Sequence, residues 1–152
     1  MGVIMKFSKK SRYGLRALID LSVNSKHEQV ALNSIAERNQ ISPQYLEQVF
    51  ASLRKAGIVK SIKGSQGGYF LSRPANEITV ASIIEALEGN YCLEDEALPE
   101  EGGCRGNIQA IQKLVIDTVN QKTGEVLSSI TLHDLEKEAQ EYTDYGQDMY
   151  YI

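Results

Sequence analysis

The stretch KSIKGSQGGYFLSR, residues 60–73, limits what this chain can fold into more than any other. Two short apolar runs flank a turn that holds Gly64, Gly67 and Gly68. Glycine tolerates the positive φ angles that a tight hairpin turn demands. Such a turn can cradle a phosphate, close a structural hairpin, or carry a basic finger into a nucleic-acid groove. The phosphate cradle of an NTPase requires a Lys and a Ser or Thr after its last glycine, opening a helix. Here Tyr69, Phe70 and Leu71 follow, and these read as a strand. The dinucleotide fingerprint fails for the same reason. A hairpin remains, either purely structural or facing DNA.

The residues upstream decide between those two. Residues 8–25 place Tyr13, Leu15, Ala17, Leu18, Leu21 and Val23 at helical spacing, with Ser8 as the cap. KHEQV breaks the pattern. LNSIAERNQ predicts a short second helix capped by Asn33 or Ser34, with Glu37 placed as in a capping box. Ser42-Pro43 opens a third helix, with Ser as N-cap and Pro at the first helical position, where no amide donor is needed. Tyr45, Leu46, Val49, Phe50 and Leu53 form its apolar stripe, and Gly57 suits the left-handed residue that ends it. A short helix, a turn, a longer helix and then a hairpin built from IVKSIK and GYFLS is the order of a winged helix-turn-helix. The expected fold is therefore mainly α.

Charge points the same way. Residues 1–79 hold 12 Lys and Arg against 5 Asp and Glu, whereas residues 80–152 hold 4 against 15, so the total of −4 hides a basic half and an acidic half. Between Gln48 and Asn76 there is no acidic residue, yet Arg54, Lys55, Lys60, Lys63 and Arg73 are all there. A recognition helix and wing without carboxylates suit a phosphate backbone, because each neutralised phosphate releases a counterion. Gln44, Tyr45, Glu47 and Gln48 occupy the part of the third helix that enters a major groove. Gln pairs with adenine and Glu accepts from cytosine. Lys63 is placed for a minor groove or a phosphate, and Gly64, Gly67 and Gly68 would let the wing tip approach closely. Arg12 and Arg16 on the first helix are further phosphate candidates. Double-stranded DNA is the expected partner.

After Pro74, ITVASIIEALEG reads as a helix ending at Gly89. Residues 90–106 are acidic and loop-like and hold both cysteines, Cys92 and Cys104. A long helix is predicted from about Asn107 to Gln121, with Ile108, Ile111, Leu114, Val115 and Val119 on one face. That face is the expected dimerisation surface. A short last helix should start at Thr131 with Asp134 three residues on, and the tail EYTDYGQDMYYI shows no clear period. The layout is a DNA-binding domain over 1–89, a sensor loop over 90–106, and a dimerisation helix with C-terminal tail over 107–152. No run of about 18 apolar residues is present, so no membrane span is expected. The opening MGVIMKFSKKSRYG lacks the pattern of a signal peptide, which points to the cytoplasm. No enzyme motif appears; Cys92 or Cys104 with His133 is the sole candidate set and lacks an orienting group.

The segments SRYGLRALIDL, SIAERNQISPQYLEQVFASLRKAGIVKSIKGSQGGYFLS and ITVASIIEALEG resemble the Rrf-type bacterial transcription regulators. The resemblance spans nearly the whole chain, and YLEQ together with KG…GGY carries it most specifically. It implies a homodimeric winged-helix regulator, acting as a repressor, on a palindromic operator. The family's base-reading positions fall on Gln44, Glu47 and Gln48, and its minor-groove wing residue falls on Lys63, where many members carry Arg. IscR-like and NsrR-like members hold an iron–sulfur cluster on three cysteines and one further ligand. Here Ala110 stands near the third cysteine, Lys113 at the histidine position, and Arg12 where the first helix of NsrR-like proteins supplies a ligand. Cys92 and Cys104 therefore stay open between shared cluster ligands, a thiol redox switch, and thiols without a sensing role. No cofactor is favoured, and the cluster-binding or thiol-based IscR-like regulator is the alternative reading.

The tail resembles that of CymR-like members, which lack a cluster and control cysteine and sulfur metabolism. The resemblance implies O-acetylserine thiol-lyase as a partner that captures a chain end such as Tyr151-Ile152. The same aromatic tail also suits packing on the dimer.

Overall fold

In the computed structural model, residues 7–150 are described, with side chains as far as Thr143. Tyr151 and Ile152, the expected partner-binding residues, lie outside the described residues. Ser8 turns the extended chain into helix α1 (Lys9–Asn24) by accepting a hydrogen bond from the Ser11 amide at 3.3 Å. Helix α2 (Leu32–Asn39) starts after Ala31 with no side-chain cap, so the expected capping by Asn33 or Ser34 is corrected. The cause is tertiary. Val30 forms an antiparallel bridge with Tyr69, its amide donating at 2.9 Å and its carbonyl accepting at 2.8 Å. The chain is thereby pinned extended until the residue before the helix. Gln40, in left-handed conformation, ends α2.

Helix α3 (Pro43–Lys55) keeps its sequence-level start: the Ser42 hydroxyl accepts from the Tyr45 amide at 3.2 Å, and Pro43 fills the first turn. Gly57 follows at φ +79°. Strands β1 (Val59–Ile62) and β2 (Gly68–Leu71) form the hairpin, with Val59 opposite Leu71 and Ile62 opposite Gly68. A 3-10 turn (Ala75–Glu77) leads to α4 (Val80–Glu88), capped by the Thr79 hydroxyl and closed by Gly89.

The core lies where α1, α2, α3 and α4 meet the base of the hairpin. Leu18, Leu21, Ile35, Leu46, Phe50, Leu53 and Ile83 are fully buried there. Phe50 meets Tyr69 edge to face at 4.9 Å between ring centres. Leu132 joins this core from far along the chain. The Val80 amide donates to the Ile130 carbonyl and the Leu132 amide to the Ile78 carbonyl, both at 2.8 Å.

After the loop come α5 (Arg105–Ile111), a π-helical turn (Gln112–Ile116) and α6 (Asp117–Ser129), a continuous run in helical conformation. It is longer at both ends than the expected 107–121, and Gly124 sits inside its last part without breaking it. Helix α7 (Leu132–Tyr150) opens with the expected reciprocal cap, in which Thr131 and Asp134 exchange hydrogen bonds of 2.9 and 3.1 Å. Hydrogen bonding from the Thr131 backbone amide, followed by the Thr131 side chain, holds the Asp134 carboxyl below the usual carboxylate range. At 19 residues α7 is not the short helix expected. Among the described residues no helix is long and apolar enough to cross a membrane.

Candidate nucleic-acid interface

The first turns of α3 present Gln44, Glu47 and Gln48 to solvent, while Leu46, Val49, Phe50 and Leu53 point into the core. The helix is thus held by one face and offers the other. Tyr45 is half-buried, and its ring stands edge-on to Tyr13 of α1 at 5.8 Å. Two cations share the Tyr13 ring, Arg16 at 4.9 Å and Lys9 at 5.7 Å from its centre. Arg16 also donates to the carbonyl of Asn39, just before α3. Arg12 lies over the Phe7 ring at 4.9 Å. Ring faces attract these cations without neutralising them, so the start of α3 is flanked by positive charge that stays available.

Arg54, Lys55, Lys60, Lys63 and Arg73 are exposed, and none forms an ion pair with a described residue. This differs from Arg38, which grips Asp20 through two hydrogen bonds of 2.7 and 2.9 Å and locks α2 to α1. Lys63 sits at the end of β1, one residue before Gly64 with φ +121°.

The wing glycines serve the fold first. A Cβ on Gly67 would stand 2.4 Å from the Ile62 carbonyl oxygen, and one on Gly68 would stand 2.5 Å from the Val30 carbonyl oxygen. Both glycines are half-buried. Their lack of side chain is demanded by the protein's own backbone, where the sequence reading assigned it to a groove. Only Gly64, exposed and open, keeps the tip role unshared.

The connector between α1 and α2 is the feature that sequence reasoning missed. Gln29 donates from Nε2 to the Gln66 carbonyl at the wing tip, at 2.6 Å. A one-residue bridge leaves no alternation to find, and KHEQV reads only as an interruption.

Cys92 is half-buried and Cys104 exposed, both as free thiols. The loop carrying Cys92 is fastened to the long helix. Asn120 accepts from the Leu93 amide at 2.7 Å and donates to its carbonyl at 3.1 Å, and Gln112 bridges Asp95 and Asp117 at 2.7 and 2.9 Å. Beside Cys92, burial, followed by the charges of Glu85 and Cys92, pushes the Tyr91 phenol up. Among the described residues no three His, Cys, Asp or Glu side chains converge as a metal site. Ala110 and Lys113 are exposed on the helix and bring no ligand. A cluster needs about four donors, and two thiols without a converging third do not supply them. His27 and His133 are exposed.

Along the long helix Ile108 is half-buried, while Ile111, Leu114, Val115 and Val119 are 50, 70, 49 and 40% exposed, with Val126 at 56% beyond them. An apolar face this open on a single chain needs a cover.

A family model described as an iron-dependent transcriptional regulator, Rrf2, matches residues 7–138. The chain is similar to the HTH-type transcriptional regulator IscR of Vibrio campbellii, 34% identical over 88% of this chain and 79% of that one. Among solved structures it is similar to CymR of B. subtilis, titled the global cysteine regulator, with 40% identity, a TM-score of 0.73, and 88 and 98% of the two chains covered. It is also similar to T. potens IscR, with 41% identity, a TM-score of 0.70, and 91 and 90% covered.

Proposed function

The chain belongs to the Rrf2 family of transcriptional regulators, and on that premise we propose that it acts as a homodimeric repressor of cysteine and sulfur metabolism that reads a palindromic operator. Its relatives are regulators, not enzymes. The observation that carries the DNA reading is the row of exposed, unpaired cations beside the open face of α3. In this reading Gln44, Glu47 and Gln48 contact base edges. Tyr45 and Arg54 meet phosphates, and Lys63 enters the adjacent minor groove. Residues 1–89 bind DNA, residues 90–106 form the sensor loop, and residues 107–152 pair the subunits. The stripe at Ile108, Ile111, Leu114, Val115 and Val119 meets its copy, which spaces the two recognition helices about one DNA turn apart or a multiple of it.

Likeness to CymR of B. subtilis and a donor set too poor for a cluster support the sulfur branch. The Tyr151-Ile152 chain end is assigned to O-acetylserine thiol-lyase. Likeness to T. potens IscR supports a second reading, in which Cys92 and Cys104 sense redox state as thiols.

Selection from random duplex DNA tests the first reading. A palindromic site should emerge, with an affinity that falls steeply as salt rises. Absence of any enriched site, or a monomer at micromolar concentration, would overturn it. Titration with the thiol-lyase, with and without Ile152, separates the branches. Iron and sulfide in stoichiometric amounts after anaerobic purification would reject the cluster-free assignment.

A further inference from the structure

The connector of residues 25–31 touches two distant parts of the molecule at once. Toward the wing, Gln29 holds the Gln66 carbonyl at 2.6 Å, Val30 bridges Tyr69, and Gly68 is pressed onto the Val30 backbone. Toward α7, Lys26 pairs with Glu136 at 2.8 Å. The same carboxylate accepts from the buried Ser22 hydroxyl at 2.6 Å, at the end of α1. The Glu136 side chain is 12% exposed and that of Lys26 56%, so the carboxylate end of this link is shielded while its ammonium end stays open to water. Between connector and wing base lies a cavity of about 390 Å³, lined by Ser22, Ser25, Lys26, Phe70, Leu71 and Arg73 among others. The hairpin is therefore not braced along its whole length by packing. Its tip and its one bridge hang on the connector.

We propose that the connector sets the position of the wing, with Gln29 as the positioning residue and Glu136 of α7 as the outer anchor. A two-stranded hairpin alone is marginally stable, and Lys63 lies three residues before Gln66, whose carbonyl Gln29 grips. Losing the Gln29 bond lets the tip swing, and a contact in a narrow groove tolerates little displacement. Because α7 follows the helix that carries the apolar stripe, subunit pairing and wing position share one mechanical element. The inference rests on the proposed wing contact with DNA.

A double-mutant cycle on operator affinity tests it, since cycles isolate coupling between two residues. Lys63→Ala should weaken wild-type binding about tenfold or more, the value of a lost charge-assisted contact. In a Gln29→Ala background the same change should cost less than about twofold. Arg54→Ala, on the recognition helix, should cost the same in both backgrounds. Amide exchange at Gly67 should quicken in Gln29→Ala while the melting temperature moves little. Glu136→Gln and Lys26→Gln should each reproduce a smaller part of the coupling. An unchanged Lys63 effect in the Gln29→Ala background overturns the inference and leaves the wing contact standing. A Lys63→Ala variant that binds like wild type, while Arg54→Ala does not, overturns the wing contact and the inference with it. Glu136→Gln without any effect on the cycle removes α7 as the anchor.

Discussion

Helix α3 and the run from Arg105 to Ser129 are both amphipathic, and they handle their apolar faces in opposite ways. Helix α3 buries Leu46, Val49, Phe50 and Leu53 completely. The longer run buries no residue, and its stripe from Ile111 to Val126 stands about half open to water. The first helix belongs to a finished core; the second leaves its apolar face open, and in the proposed dimer that face is one side of the contact between subunits. Stability and assembly should therefore separate, each answering to its own set of side chains.

The strongest way to break that comparison is Phe50→Ala. Phe50 is fully buried and packed edge-on against Tyr69, and its truncation should cost about 3–5 kcal/mol. Denaturant titration should show the loss, with folding rather than pairing as the primary defect. Next comes the combined Leu114→Glu and Val115→Glu change. It should leave the helical content and the melting of the winged unit nearly intact. Sedimentation should show dimer dissociation raised by about a hundredfold or more, since an unpaired charge in a buried contact costs about 3 kcal/mol or more. If that variant unfolds instead, the two regions are not separable. Gly68→Ala should cost about 1–3 kcal/mol through collision with the Val30 carbonyl, and it should disturb the wing before the recognition helix. Backbone amide exchange at Tyr69, which donates to that carbonyl, reads this directly.

The smallest effect concerns pH. Burial alone would raise the Glu136 carboxyl, but the hydrogen bonds from Lys26 and Ser22 outweigh it, with Lys26 and His133 charges adding, and the group ends below its ordinary value. A depressed folded pKa means that the unfolded chain takes up the proton first. The stabilisation is thus complete above the unfolded pKa and is lost as pH falls through the folded one. Wild type should melt above Glu136→Gln at neutral pH, and the gap should close in acid. A gap that persists in acid would show that shape, not charge, ties α7 to α1.

Local chemistry made much of this fold legible. Ser42-Pro43, Gly57, and the Thr131–Asp134 pair each act within one turn of helix, and each does in the structure what its residue type predicts. Tertiary demands were not legible. The start of α2 follows from the Val30–Tyr69 bridge, formed across 39 positions, and not from any cap in the sequence. Gly67 and Gly68 looked like freedom at a wing tip and are instead sites of close backbone approach. The length of α7 escaped because EYTDYGQDMY carries no apolar period and consists mostly of middling or poor helix formers, so nothing local signals that the helix runs on. At the candidate interface the cations could be read from composition, since being unpaired follows from the lack of acids nearby. The Gln29 bond to the wing tip and the seating of Arg16 and Lys9 on the Tyr13 ring required the fold.

The π turn at Gln112–Ile116 has a further consequence, one of phase. In an unbroken α-helix each residue advances about 100°, so Val119 would lie about 80° around the axis from Ile111. The wider turn advances about 80° per residue over its length and returns Val119 to within about 20° and Val126 to within about 40° of Ile111. It works as a vernier that realigns the second half of the stripe with the first. Deleting any single residue there would leave composition, charge and helicity almost untouched. It would still rotate everything downstream, α7 included, by a large fraction of a turn, and a two-fold assembly would meet that error twice.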